Sequence, residues 1–108
     1  MRITYNKLIR DLIPEIMDRE GVRYEIGTLE TDAFRKALLE KVVEEAGELA
    51  EAVGRGEVVK EVADLHEVID ALLALDGIRS DEVRAMQERR RQDRGAFERR
   101  LVLRWTER

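Results

Sequence analysis

Apolar residues recur along this chain mostly at the three-to-four-residue spacing of helices, and the longest such run carries Phe34, Leu38, Val42, Leu49 and Val53 on one face. Thr31 or Asp32, just before that run, has the short oxygen-bearing side chain that caps a helix start, and Gly54 is a natural stop. A second helix opens at Gly56 and Glu57, carries Val58, Val62, Leu65, Ile69 and Leu72, and ends at Gly77, with Glu57 placed well for the helix dipole. Joined only by Gly54-Arg55-Gly56, the two helices are predicted to form an antiparallel hairpin.

The flanks carry shorter signals. Pro14 suits a first helical turn, so a short helix is expected from about Pro14 to Arg19, ended by Gly21, with Val22 to Gly27 alternating enough for a brief strand or an extended arm. Ser80 is placed to cap another helix, with Asp81 and Glu82 in its first turn, running through Arg89-Arg90-Arg91-Gln92-Asp93-Arg94 to Gly95. Beyond it Leu101, Leu103 and Trp105 share one parity, as in a short strand or an extended tail packing elsewhere. The fold class is therefore all-α: a helical bundle built on the hairpin, with short extended terminal segments.

Composition agrees, because charged residues make up 41% of the chain, aromatics only 5%, and there is one proline, which suits a helix bundle better than a sandwich or barrel. At 108 residues there is length for one domain. So short a chain buries a modest core, and completion by a homodimer or homotetramer is expected. The formal charge of −4 gives no global basic field to attract nucleic acid, so a polyanionic partner would need local cations or bound metal. The absence of cysteine excludes disulfides, thiolate zinc sites and a thiol nucleophile. Met1 to Ile9 lacks a signal peptide's apolar core and no stretch reaches membrane-spanning length, so no membrane partner and a cytoplasmic location are expected.

Among 24 acidic residues, an acid pair at helical spacing means little by itself; its angular position does. Turning each residue by about 100° per step places Glu45 between Phe34 and Leu38, inside the apolar arc, and Glu48 at its edge. Glu40, Glu44 and Glu51 point the other way on this wheel. On the next helix Glu61 falls between Leu72 and Val68 and Asp64 at the edge beside Leu75, while Glu67 and Asp70 face outward. Each helix thus offers one acid in the arc and a second, three residues on, at the rim.

Burying an unpartnered carboxylate costs several kcal/mol, so four acids meeting in one groove need cations. Lys41 and Lys60 sit near the acidic edges and could serve as plain counter-ions, as could arginines across an oligomer interface. The doubled pattern favours a metal site over that simpler account. An all-oxygen donor set selects Mg²⁺ or Mn²⁺, and zinc is disfavoured with His66 the lone histidine and off the acidic side. Carboxylate-held Mg²⁺ keeps positions open for water and substrate phosphates, which points to phosphate chemistry.

The stretches Glu44-Glu45-Ala46-Gly47-Glu48 and Glu61-Val62-Ala63-Asp64-Leu65 resemble the paired EExxE and ExxD signature of the MazG-like all-α nucleoside triphosphate pyrophosphohydrolases, over about Ala37 to Leu75. Tyr5-Asn6-Lys7-Leu8-Ile9-Arg10-Asp11 is similar to the opening of short, phosphoribosyl-ATP pyrophosphohydrolase-like members. The resemblance implies Glu45, Glu48, Glu61 and Asp64 as metal ligands, Glu44 as an outer-sphere or water-orienting group, and hydrolysis of a nucleoside triphosphate to monophosphate and pyrophosphate. In the mechanism inferred from such a site, Glu45 or Glu48 serves as base, and the sequence does not choose between them. Several members carry an Asn and a Lys on the following helix to contact the nucleotide; here the nearest candidates are Gln87 and Arg89 to Arg94. Lys7, Arg10 and Arg94 are candidate phosphate contacts. Two other readings stand beside this one: phosphoribosyl-ATP hydrolysis in histidine synthesis, and a non-catalytic helical oligomer binding nucleic acid through Arg89 to Arg94, which Glu88, Asp93, Glu98 and the overall charge oppose.

Overall fold

A computed structural model describes all of residues 1–108, and it contains four helices and no strand. They are α1 (Ile13–Arg19), α2 (Thr31–Glu51), α3 (Arg55–Asp76) and α4 (Ser80–Arg94). The chain divides into two compact units, Met1–Gly77 and Ile78–Arg108.

In the first unit α2 and α3 make the extensive helix–helix contact. They run antiparallel: Arg35, near the start of α2, forms a two-pronged hydrogen-bonded pair with Asp76, the last residue of α3, at 3.1 and 2.9 Å. The turn between them lies at Ala52-Val53-Gly54, two residues earlier than the glycines suggest. Ala52 leaves the helix in extended geometry, and the Glu57 carboxylate accepts the Val53 backbone N–H at 2.8 Å, so α3 starts at Arg55 rather than at Gly56. Gly54, at φ +85°, makes the reversal in a conformation that side-chain-bearing residues rarely adopt.

Capping differs from the sequence expectation. Thr31 and Ser80 are the first helical residues rather than caps, the cap positions belong to Glu30 and Arg79, and neither makes a side-chain cap bond. At α1, Ile13 precedes Pro14 within the first turn, as proline's fixed φ allows. Neither 22–27 nor 97–105 forms a strand; the second opens with a turn in which the Arg100 backbone N–H donates to the Phe97 carbonyl at 3.2 Å. Leu101, Leu103 and Trp105 are all exposed, so the tail forms no packed layer.

The core is thin. Leu38, 2% exposed, is the one buried hydrophobic side chain, and Phe34, Val42, Leu49, Val62, Leu65, Ile69 and Leu72 line the hairpin half-buried. Val53 and Val58, expected on the apolar faces, are exposed because both flank the turn, where the helices no longer cover each other. No helix is long and apolar enough to cross a membrane.

Candidate active site

The second buried residue of the whole chain is an acid: Glu45 is 8% exposed, as the apolar arc of α2 requires. Facing it from α3 are Glu61 and Asp64, both half-buried, and one oxygen from each of the three lies within 4.8 Å of the others. Glu44, Glu45 and Glu48 form a second such group along α2. Glu45 belongs to both, so all five predicted acids gather in one place.

Their order of burial corrects the helical wheel. Glu44, turned outward by a strict 100° step, is half-buried, whereas Glu48, placed at the arc's edge, is exposed. Two cations account for Glu44: Lys7, from the segment before α1, donates to its Oε1 at 2.8 Å, and Lys41, one turn earlier on α2, to its Oε2 at 3.4 Å. These bonds hold the Glu44 carboxyl below the ordinary carboxylate range, the Lys7 bond being the largest cause, and the same bond raises the Lys7 ammonium above its usual value.

Four cations ring the cluster. Lys41 approaches Glu45 Oε1 at 4.0 Å; Lys60 lies 3.2 Å from Glu61 Oε1 and 3.5 Å from Asp64 Oδ2; Arg10 donates to Asp64 Oδ1 at 2.8 Å. Lys60 is raised above its usual range, chiefly by its hydrogen bond to Glu61. All four stay at the rim. Glu45 Oε2 and Glu61 Oε2 are buried and have no hydrogen-bond partner.

Those two oxygens test whether a cation fits. A buried carboxylate oxygen without a donor costs about 1–3 kcal/mol or more, and native proteins leave few of them. Two orphans, one from each helix and both inside the acid group, are what a hard divalent ion would satisfy and what peripheral lysines fail to reach. The donor set is all oxygen, so the residues present suit Mg²⁺ or Mn²⁺.

Of the predicted phosphate contacts, Lys7 and Arg10 are brought to the acids, while Arg94 lies in the last turn of α4, in the other unit. His66 is exposed. The Arg89–Arg94 run lies exposed along α4, with Arg91 paired to Glu88. Missed from the sequence were the Arg35–Asp76 clamp and the Glu57 bond to Val53, for which spacing gave no signal.

A helical hairpin with an EExxE group on one arm and an ExxD group on the other defines an all-α pyrophosphohydrolase of the MazG-like superfamily. More narrowly, the chain belongs to the phosphoribosyl-ATP pyrophosphohydrolase family, whose description (PRA-PH) matches residues 6–91. No curated protein and no solved structure matches it significantly. The family makes the chain a hydrolase acting on phosphoric anhydrides, of a kind that typically depends on a divalent metal.

Proposed function

We propose that this chain cleaves a nucleoside triphosphate between its α and β phosphates, releasing a monophosphate and pyrophosphate, with Glu45, Glu48, Glu61 and Asp64 holding Mg²⁺, or Mn²⁺ in its place. The observation that carries this reading is the pair of buried, partnerless oxygens on Glu45 and Glu61. A bound divalent ion would draw charge from the phosphate oxygens and lower the pKa of a water beside it.

The protein's own groups do the rest. Glu44, which Lys41 keeps ionised, accepts a hydrogen bond from the attacking water and fixes its direction. Glu45 or Glu48 takes the water's proton as the new bond to phosphorus forms. Lys7 and Arg10, in the same unit as the acids, are the proposed contacts to phosphate oxygens, spreading positive charge where negative charge accumulates. Exposed Val43 and Val59, at 73% and 59%, are the surfaces through which a homodimer or homotetramer would complete so thin a core. Nucleotide housekeeping in the cytoplasm fits such an activity.

A second reading has a specific observation in its favour: the family's description names phosphoribosyl-ATP, which carries the same triphosphate and yields the same pyrophosphate. The deciding experiment is pyrophosphate release over ordinary and modified nucleoside triphosphates and phosphoribosyl-ATP, each with Mg²⁺ and with Mn²⁺, beside a Glu45→Gln variant. Release from one substrate class, lost in the variant, establishes the reaction and selects the substrate. Metal-independent release, or equal release by the variant, refutes it.

A further inference from the structure

The acid cluster has two tiers that are neutralised differently. Its inner oxygens, Glu45 Oε2 and Glu61 Oε2, touch no donor, while its outer oxygens are held by cations from the N-terminal segment: Glu44 Oε1 by Lys7 and Asp64 Oδ1 by Arg10, both at 2.8 Å. Those two partners lie 37 and 54 residues away in sequence, so the bonds tie the segment before α1 across both arms of the hairpin. Asn6, at φ +48°, turns the backbone just before Lys7. The Lys7 ammonium also feels the charges of Glu48 and Glu45.

Such an arrangement has a cost for any cation-binding use of the site. Two positive charges stand against outer oxygens of the acids that would hold a divalent ion, and Arg10 occupies an oxygen of Asp64, one of the proposed ligands. Both side chains are more than half exposed, at 51% and 60%, and both end long flexible stems, so neither is locked by packing. A guanidinium and an ammonium that satisfy carboxylates in this way match phosphate oxygens equally well, the guanidinium with two parallel donors.

Resting on the metal-dependent reading above, we infer that Lys7 and Arg10 are exchangeable counter-ions: they neutralise Glu44 and Asp64 while the site is empty, and transfer to the polyphosphate when a metal-bound substrate arrives. The N-terminal segment is then a strap that trades carboxylate for phosphate. The same two residues weaken binding of the metal alone and strengthen binding of the phosphorylated ligand. A purely structural ion pair, which only steadies the acids, has no reason to act in opposite directions on the two.

The test measures Mn²⁺ binding by calorimetry on the full chain without nucleotide, then inorganic pyrophosphate binding at saturating Mg²⁺, for the unsubstituted chain, Lys7→Ala and Arg10→Ala. Arg35→Ala, which breaks a comparable surface pair outside the cluster, is the control. Each N-terminal variant is expected to bind Mn²⁺ about three- to ten-fold tighter, one nearby positive charge having been removed. Each is expected to bind pyrophosphate about ten-fold more weakly, the loss of one charge-assisted hydrogen bond. Arg35→Ala shifts neither. Weaker binding of both ligands, or no change in either, overturns the exchange. If the unsubstituted chain itself fails to bind Mn²⁺, the metal-dependent reading falls and the exchange with it; intact Mn²⁺ binding that ignores Lys7 and Arg10 overturns the exchange alone.

Discussion

Replacing Glu45 by glutamine should raise stability without metal and lower it with metal. One oxygen each from Glu45, Glu61 and Asp64 lies within 4.8 Å of the others, so at an effective dielectric constant of about 20 each like-charge pair costs about 3 kcal/mol before counter-ions act. Lys41, 4.0 Å from Glu45, and Lys60, 3.2 Å from Glu61, offset most of this. Removing the Glu45 charge relieves two such pairs and lets the new amide donate toward the partnerless Glu61 oxygen. A net gain of about 1–2 kcal/mol in EDTA follows, or roughly 5–10 °C in melting temperature for a unit of this size. With Mg²⁺ at about a hundred times its dissociation constant the unsubstituted chain gains about 2.7 kcal/mol, which the variant largely forgoes.

The ranking of the two proteins therefore inverts between EDTA and Mg²⁺. Thermal melts followed by circular dichroism, at one protein concentration and with and without metal, read this directly. A variant that melts lower by the same amount in both conditions would show Glu45 to be a structural acid held by Lys41. An unchanged metal shift in the variant would remove Glu45 from the ligand set.

Leu38→Ala should cost about 2–3 kcal/mol in urea unfolding, the low end for a leucine truncation, because its neighbours are only half-buried and can close in. Gly77→Ala should cost about 1 kcal/mol in the same assay: φ is +66° at this C-cap, and although open space surrounds the position, the left-handed backbone penalises a Cβ. Asp76, held below its ordinary range chiefly by the Arg35 hydrogen bond, contributes stability that is present above the unfolded value of about 3.9 and lost as pH falls through the lowered folded value. Asp76→Asn should therefore flatten the decline seen in urea titrations as pH falls below about 4. The melting temperature should rise with protein concentration and become concentration-independent in Val43→Lys, since Val43 is 73% exposed on the hairpin; a concentration-independent melt of the unsubstituted chain would show that it folds alone.

The hairpin and its acids were legible in the sequence for one reason: a charge inside an apolar arc is rare enough to mean something, and Glu45 and Glu61 both occupy such positions. The same wheel misjudged Glu44, since an isolated helix carries no information about Lys7 arriving from 37 residues away to cover it. Helix ends were less legible than helix faces. Thr31 and Ser80 are good capping residues, yet whether a residue caps or begins the helix depends on backbone angles set by the preceding loop, and here the extended residues are Glu30 and Arg79. Parity placed Leu101, Leu103 and Trp105 together, but parity says nothing of whether a partner strand or surface exists to receive them.

If Glu45 is the ligand proposed above, stability and function compete for the same few positions in this hairpin. A small helical pair has little interior, and here one of its two buried sites goes to Leu38 and the other to a carboxylate that an aliphatic residue would replace with a gain in stability. A surface ion-pair network needs no acid at that depth, because surface pairs contribute little wherever they lie. The depth is required only if the carboxylate must meet a cation out of reach of lysine and in a place dry enough for its charge to act strongly on phosphate. Lys41 stops at 4.0 Å from Glu45, and the oxygen beyond it is left without a donor. That gap is what the proposed ion would fill, and it distinguishes this cluster from one fully neutralised by its own side chains.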